Sequence, residues 1–179
     1  MMKHTLLLKL MGFSEKEIKI FSAGYTGDTA TFNKLKDSLH ISSYCMGTAA
    51  AGNKELVLQC LEKGATPNRG LYGAVCGGHM EIVQLMLSKG ATDFDWGLRF
   101  AARGGHMEIV QLLLSKGANP DAGLEEAAEG GHVDIVQLML SKGATGYEMG
   151  LRYAARGGHM DIVQLMLSKG ATGHPRQRS

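Results

Sequence analysis

Histidine is the residue type in this sequence whose spacing most invites chemistry. His79, His106, His132 and His159 recur 27, 26 and 27 positions apart, each as the third residue of a Gly-Gly-His triplet. Imidazole can bind metal or act as a general base, and Cys45, Cys60 and Cys76 add candidate thiolates. Zinc, however, needs three or four ligands converging at about 2 Å. Histidines placed one per repeat, at a helix-packing distance of roughly 8–10 Å, cannot share an ion. The cysteines are odd in number and lack Cys-x-x-Cys spacing, so they read as reduced, buried thiols. No Ser-His-Asp or Cys-His arrangement, His-Glu-x-x-His, phosphate-binding loop or strand-led Gly-x-Gly-x-x-Gly is found. The sequence therefore predicts no enzyme activity, no cofactor and no metal. It gives the histidines a structural role, bonding backbone groups in a turn.

The elements that position these histidines are repeats. Gly-Gly-His-Met-Glu-Ile-Val-Gln-Leu or a near copy starts at Gly77, Gly104, Gly130 and Gly157, and upstream Asn53 and Asp28 take the histidine position, each after a glycine. Five of the six units close with Gly-Ala, and the first has Leu39-His40 there. Within a unit, Leu98, Ala101 and Ala102 share one face of a first helix ended by Gly104-Gly105. A second helix runs from about Met107 to Lys116. The Asp, Asn or His before it suits an N-cap, and Glu55, Glu81, Glu108, Asp134 and Asp161 suit the positive end of its dipole. Leu112, with its counterparts Leu85, Leu138 and Leu165, is expected in the core. No unit can bury its apolar face alone, whereas stacked neighbours can. The predicted fold is all-α, a solenoid of six helix-pair repeats.

Around this array the sequence divides into an N-terminal helical cap over 1–22, the repeats over 23–172 and a flexible basic tail over 173–179. In the cap, Leu6–Gly12 reads as a lone second helix, and Ser14 with Glu17 forms a capping box. Glycine, 25 of 179 residues against only three prolines, is the compositional outlier and marks a recurring turn. The net charge of +2 argues for neither nucleic acid nor an anionic membrane surface. No apolar run reaches roughly 18 residues, so no transmembrane helix is expected. Lys9 breaks the N-terminal leucines, and no small-residue cleavage site follows them. The expected location is cytoplasmic or nuclear.

Ala101-Ala102-Arg103-Gly104-Gly105-His106-Met107-Glu108-Ile109-Val110-Gln111-Leu112-Leu113-Leu114-Ser115-Lys116-Gly117-Ala118-Asn119 resembles the ankyrin repeat, with parallels from about Phe21 to Ala171. Two departures stand out. The period is 26 or 27 residues in place of about 33. The usual Thr-Pro-Leu-His opening is replaced by Gly-Leu pairs at 70–71, 97–98, 123–124 and 150–151. The missing residues fall where the family places its β-hairpin finger, so truncated hairpins with little or no strand are expected. Short, nearly identical repeats of this kind are similar to ankyrin proteins of large DNA viruses of amoebae. The resemblance implies a protein–protein interaction scaffold binding a host or viral protein through its first-helix face. The alternative is a structural or self-assembling, virion-associated protein, which leaves homo-oligomerisation open.

Variation among the copies selects the candidate site. Tyr72, Arg99, Glu125 and Arg152 share one repeat position; Arg103, Glu129 and Arg156 share another; Phe100 and Tyr153 share a third. Phe94, Trp96 and Tyr147 lie where fingers would project, and aromatic anchors in a polar rim compose binding hot spots. The competing reading is a self-satisfied ion ladder, with Glu125 and Glu129 bridging arginines of both neighbours. Phe94, Trp96 and Met149 could likewise fold over the groove between repeats.

Overall fold

The computed structural model describes residues 13–173. Among the described residues there are twelve helices and no strand. They are α1 (Glu15–Thr26), α2 (Thr29–Lys34), α3 (Ser38–Ala50), α4 (Lys54–Glu62), α5 (Pro67–Gly77), α6 (Met80–Ser88), α7 (Phe94–Gly104), α8 (Met107–Ser115), α9 (Pro120–Gly130), α10 (Val133–Ser141), α11 (Tyr147–Gly157) and α12 (Met160–Ser168). Odd-numbered helices are the first, and even-numbered the second, of six pairs. The chain forms two compact units, Met1–Asp93 and Phe94–Ser179. Each contains three pairs among its described residues. The expected helix at Leu6–Gly12 and the basic tail beyond Gly173 lie outside the described residues.

Local signals account for the helix ends. Ser14 Oγ accepts from the Glu17 amide at 3.2 Å while the Glu17 carboxylate accepts from the Ser14 amide at 3.0 Å, the reciprocal bonds of a capping box. The helix so opened runs to Thr26, and a boundary between residues 22 and 23 would fall inside it. First helices stop at left-handed glycines such as Gly78 (φ 73°) and Gly131 (φ 78°). The degenerate first pair differs from expectation. Helix α2 ends at Lys34, and Leu39 and His40 form the first turn of α3 rather than closing the first repeat.

In the first unit, glycine lets first helices meet backbone to backbone. A Cβ on Gly47 would lie 2.1 Å from the Phe21 carbonyl oxygen, and one on Gly73 would lie 2.0 Å from that of Met46. In the second unit the position of Gly73 holds Phe100, Glu126 and Tyr153, so side chains occupy this surface instead.

Within each unit the core lies between the two helices of a pair and between neighbouring pairs. Leu71, Leu98 and Leu124 are fully buried from the first helices, as are Val83, Val110 and Val136 from the second. Leu112 is only half-buried, as are Leu85, Leu138 and Leu165. The core position is one residue later, at Leu113 and its counterparts Met86, Met139 and Met166, all with no exposure. A helix turns 100° per residue, and consecutive leucines hide which of them points inward. The glycines of the Gly-Leu pairs make room for these side chains. A Cβ on Gly123 would lie 2.8 Å from Met139 Sδ, and one on Gly150 equally close to Met166 Sδ.

Candidate functional site

The recurring histidines join repeats. Asp28 and Asn53 cap their helices through side-chain oxygens, but His79, His106, His132 and His159 make no side-chain capping bond. Three of them reach back to a carbonyl at the end of the first helix of the preceding pair. His79 Nε2 donates to Ala50 at 3.2 Å, His132 to Arg103 at 3.0 Å and His159 to Glu129 at 3.1 Å. The two glycines of each Gly-Gly pair serve this link differently. The second supplies positive φ; the first supplies space, since a Cβ on Gly130 would lie 2.7 Å from the Arg103 carbonyl oxygen and 2.8 Å from His132 Cδ2. Among the described residues no three His, Cys, Asp or Glu side chains are grouped to hold a metal ion. Cys45 and Cys60 are buried, and burial pushes the Cys76 thiol up to about 12. That thiol stays protonated and is a poor nucleophile.

On the first-helix face of the second unit the charged positions close into a ladder. Arg99 Nη1 lies 3.9 Å from Glu125 and 3.8 Å from Glu126; Arg103 lies 3.0 Å from Glu126 and 3.3 Å from Glu129. Glu129 continues to Arg156 at 3.5 Å. The bridge across both neighbours therefore belongs to Glu129, and among the described residues Glu125 pairs with Arg99 alone. The residue outside the sequence-derived set is Glu126, which touches both arginines of α7. Two consecutive glutamates, only one of them aligned with the arginine positions, were the signal for it. Burial pushes the Glu126 carboxyl above its usual range, against the pull of Arg103 and Arg99.

A second ladder stands where hairpins are missing. Asn68 Oδ1 accepts from the Thr92 amide at 2.8 Å, Asp95 Oδ1 from Asn119 at 2.7 Å, and Asp121 Oδ1 from Thr145 at 2.7 Å and Gly146 at 2.9 Å. Glu148 does the same for Thr172 at 2.7 Å, and Ser42 Oγ for Thr66 at 2.9 Å. From α3 onward, one polar side chain in each first helix thus pins the loop 24 residues ahead.

The remaining candidates divide by burial. Trp96 is 51% exposed, stacked on Phe100 at 6.0 Å with the Arg99 guanidinium 5.9 Å from its ring. Phe100 is buried, so it supports this surface from beneath. Phe94, Tyr147 and Tyr153 are half-buried, and Arg152 is exposed. In the first unit, Tyr72 packs on a cluster of Ile18, Phe21, Met46 and Ala50 and donates its hydroxyl to Asp93. Trp96 and Met149 do not fold away: both are exposed.

Helix pairs repeated at 26–27 residues, joined by backbone-reading side chains and without strands among the described residues, define an α-solenoid of helix-pair repeats. The family model for ankyrin repeats in three copies matches residues 45–124 and 98–177. The chain belongs to the ankyrin-repeat family. No curated protein matches it. Ankyrin repeats generally mediate protein–protein interaction, and the family is typically non-enzymatic. No described helix is long and apolar enough to cross a membrane.

Proposed function

We propose that this protein is a non-enzymatic interaction scaffold that binds a host or viral protein in the cytoplasm or nucleus. The binding surface is the first-helix face of the second unit, with Trp96 as its anchor and Arg99, Arg103, Arg152 and Arg156 as its rim. The observation that carries the reading is Trp96 itself. A tryptophan held by Phe100 and Arg99 yet half open to solvent leaves a large apolar surface unburied at little entropic cost on binding. Glutamate neutralisation of Arg99 and Arg103 leaves them to fix register rather than supply most of the affinity.

Phe100→Ala is a poor probe, because a buried phenylalanine removed this way costs about 3–5 kcal/mol in packing. Trp96→Ala forfeits only an exposed stack of about 0.5–1.5 kcal/mol. Tagged wild-type protein, Trp96→Ala and the second-helix variant Gln111→Ala are compared for captured proteins by quantitative mass spectrometry. The expected result is a protein retained by wild type and Gln111→Ala and lost from Trp96→Ala. Capture that survives Trp96→Ala but disappears with Gln111→Ala would place binding on the opposite face. A particle size that grows with concentration would favour self-assembly instead.

A further inference from the structure

The chain contains a template for a ligand of its own last described repeat. Helix α7 carries Gly-Leu-Arg-Phe-Ala-Ala-Arg at 97–103, and α11 carries Gly-Leu-Arg-Tyr-Ala-Ala-Arg at 150–156, with one difference between them. On α7 this face is covered by α9, whose Gly-Leu-Glu-Glu-Ala-Ala-Glu at 123–129 brings three carboxylates within 3.0–3.9 Å of Arg99 and Arg103. No described helix covers the same face of α11. Its side chains differ accordingly. Ala155 is exposed where Ala102 and Ala128 are fully buried. The Arg156 side chain is 73% exposed against 41% for Arg103. Leu167 and Met160 are exposed on α12, and Arg152 has no ion-pair partner among the described residues.

We infer that the outer face of the sixth helix pair, formed by Arg152, Ala155 and Arg156 of α11 with Val163 and Leu167 of α12, docks an acidic helix of a partner protein presenting Glu-Glu-x-x-Glu. The helix takes the place relative to α11 that α9 takes relative to α7. Alanines at its core positions lie against Ala155, and its glutamates meet the two arginines. Charge decides against a second copy as the occupant. The copy's own α9 is already packed against α7 and α11. Its α1 offers Glu15 and Glu17 two residues apart, with Glu17 engaged by Ser14 and Arg69. Residues at i and i+2 do not share a helix face. This inference rests on the scaffold reading and names a partner chemistry for one end of it.

The test uses the full chain and a synthetic peptide carrying Gly-Leu-Glu-Glu-Ala-Ala-Glu, side-chain-bridged on its far face because short free helices are marginal in water. Binding is read by fluorescence anisotropy, and circular dichroism checks that each variant folds. The expected result is saturable binding that weakens at least tenfold for the all-glutamine peptide and for Arg152→Glu, with Arg152→Glu gaining affinity for a lysine-for-glutamate peptide. No saturable binding, equal binding of the glutamine peptide, or indifference to Arg152→Glu overturns the inference. Cross-linking of the peptide to Arg176 or Arg178 also overturns it, as does concentration-dependent self-association that Arg152→Glu abolishes. Failure here with Trp96-dependent capture intact refutes the acidic-helix ligand alone and leaves the scaffold reading standing.

Discussion

Asp121 is the most direct test of how this protein joins its repeats without hairpins. A single oxygen, Oδ1, accepts from the Thr145 amide at 2.7 Å and the Gly146 amide at 2.9 Å. Asp121→Ala leaves both donors without that acceptor. Thr145 is exposed, so water recovers its amide at small net cost; Gly146 is half-buried and recovers less. A bond to a charged acceptor is worth about 1.5–3 kcal/mol net and a solvent-accessible one nearer 1, so the loss should total about 1–3 kcal/mol. Asp121→Asn keeps the accepting oxygen, as Asn68 does for the Thr92 amide in the third pair. It gives up the charge on the acceptor and the favourable charge in the first turn of α9, the latter about 0.3–1 kcal/mol, and should cost less than Asp121→Ala. Urea unfolding followed by circular dichroism gives the two losses, and amide exchange at Thr145 and Gly146 locates them. Equal losses for Ala and Asn, or unchanged exchange at both amides in Asp121→Ala, would refute the staple.

Leu113→Ala should cost about 2–5 kcal/mol in urea unfolding, while half-buried Leu112→Ala should cost clearly less; the reverse order would put the core in the wrong register. His132→Ala removes the bond to the Arg103 carbonyl and should cost about 0.5–1.5 kcal/mol. Metal analysis of the purified wild-type protein should find no stoichiometric zinc. Burial holds the folded-state pKa of Glu126 above 4.5, so its contribution to stability is full below the unfolded value and lost as pH rises through the folded one. Glu126→Gln should therefore flatten the decline in urea midpoint on the alkaline side of 4.5. Glu17 has the opposite sign: its bonds to Ser14 lower its pKa, so its contribution is lost as pH falls, and Glu17→Gln should weaken the protein at pH 7 more than in acid.

Much of the fold was legible because it is written locally and then copied. Gly-Gly-His, Gly-Ala and the apolar spacing between them state where helices start and stop, and repetition removed doubt that any single copy would leave. The first pair was misread because Asp28 preserves the register while the closing Gly-Ala is absent, so nothing local marked the end of α2 at Lys34. In the candidate site, periodic comparison found Arg99, Arg103, Glu125, Glu129, Arg152 and Arg156 but passed over Glu126, which aligns with Phe100 and Tyr153. Only the pairing distances show that it is the glutamate gripping both Arg99 and Arg103.

The sequence by itself determined that this protein is a helical repeat array, where the helices of the regular Gly-Gly-His pairs end, and that hairpin residues are missing. Those are matters of period, caps and length, which depend on residues a few positions apart. Tertiary structure decided which of Leu112 and Leu113 faces inward, that histidine bonds a carbonyl 29 or 30 residues away rather than its own turn, and that carboxylates pin loops 24 residues ahead. Each of these depends on the rotation and offset of one helix pair against the next. A side chain's partner across a repeat is fixed by packing of the whole pair, and neighbouring residues in sequence carry no trace of it.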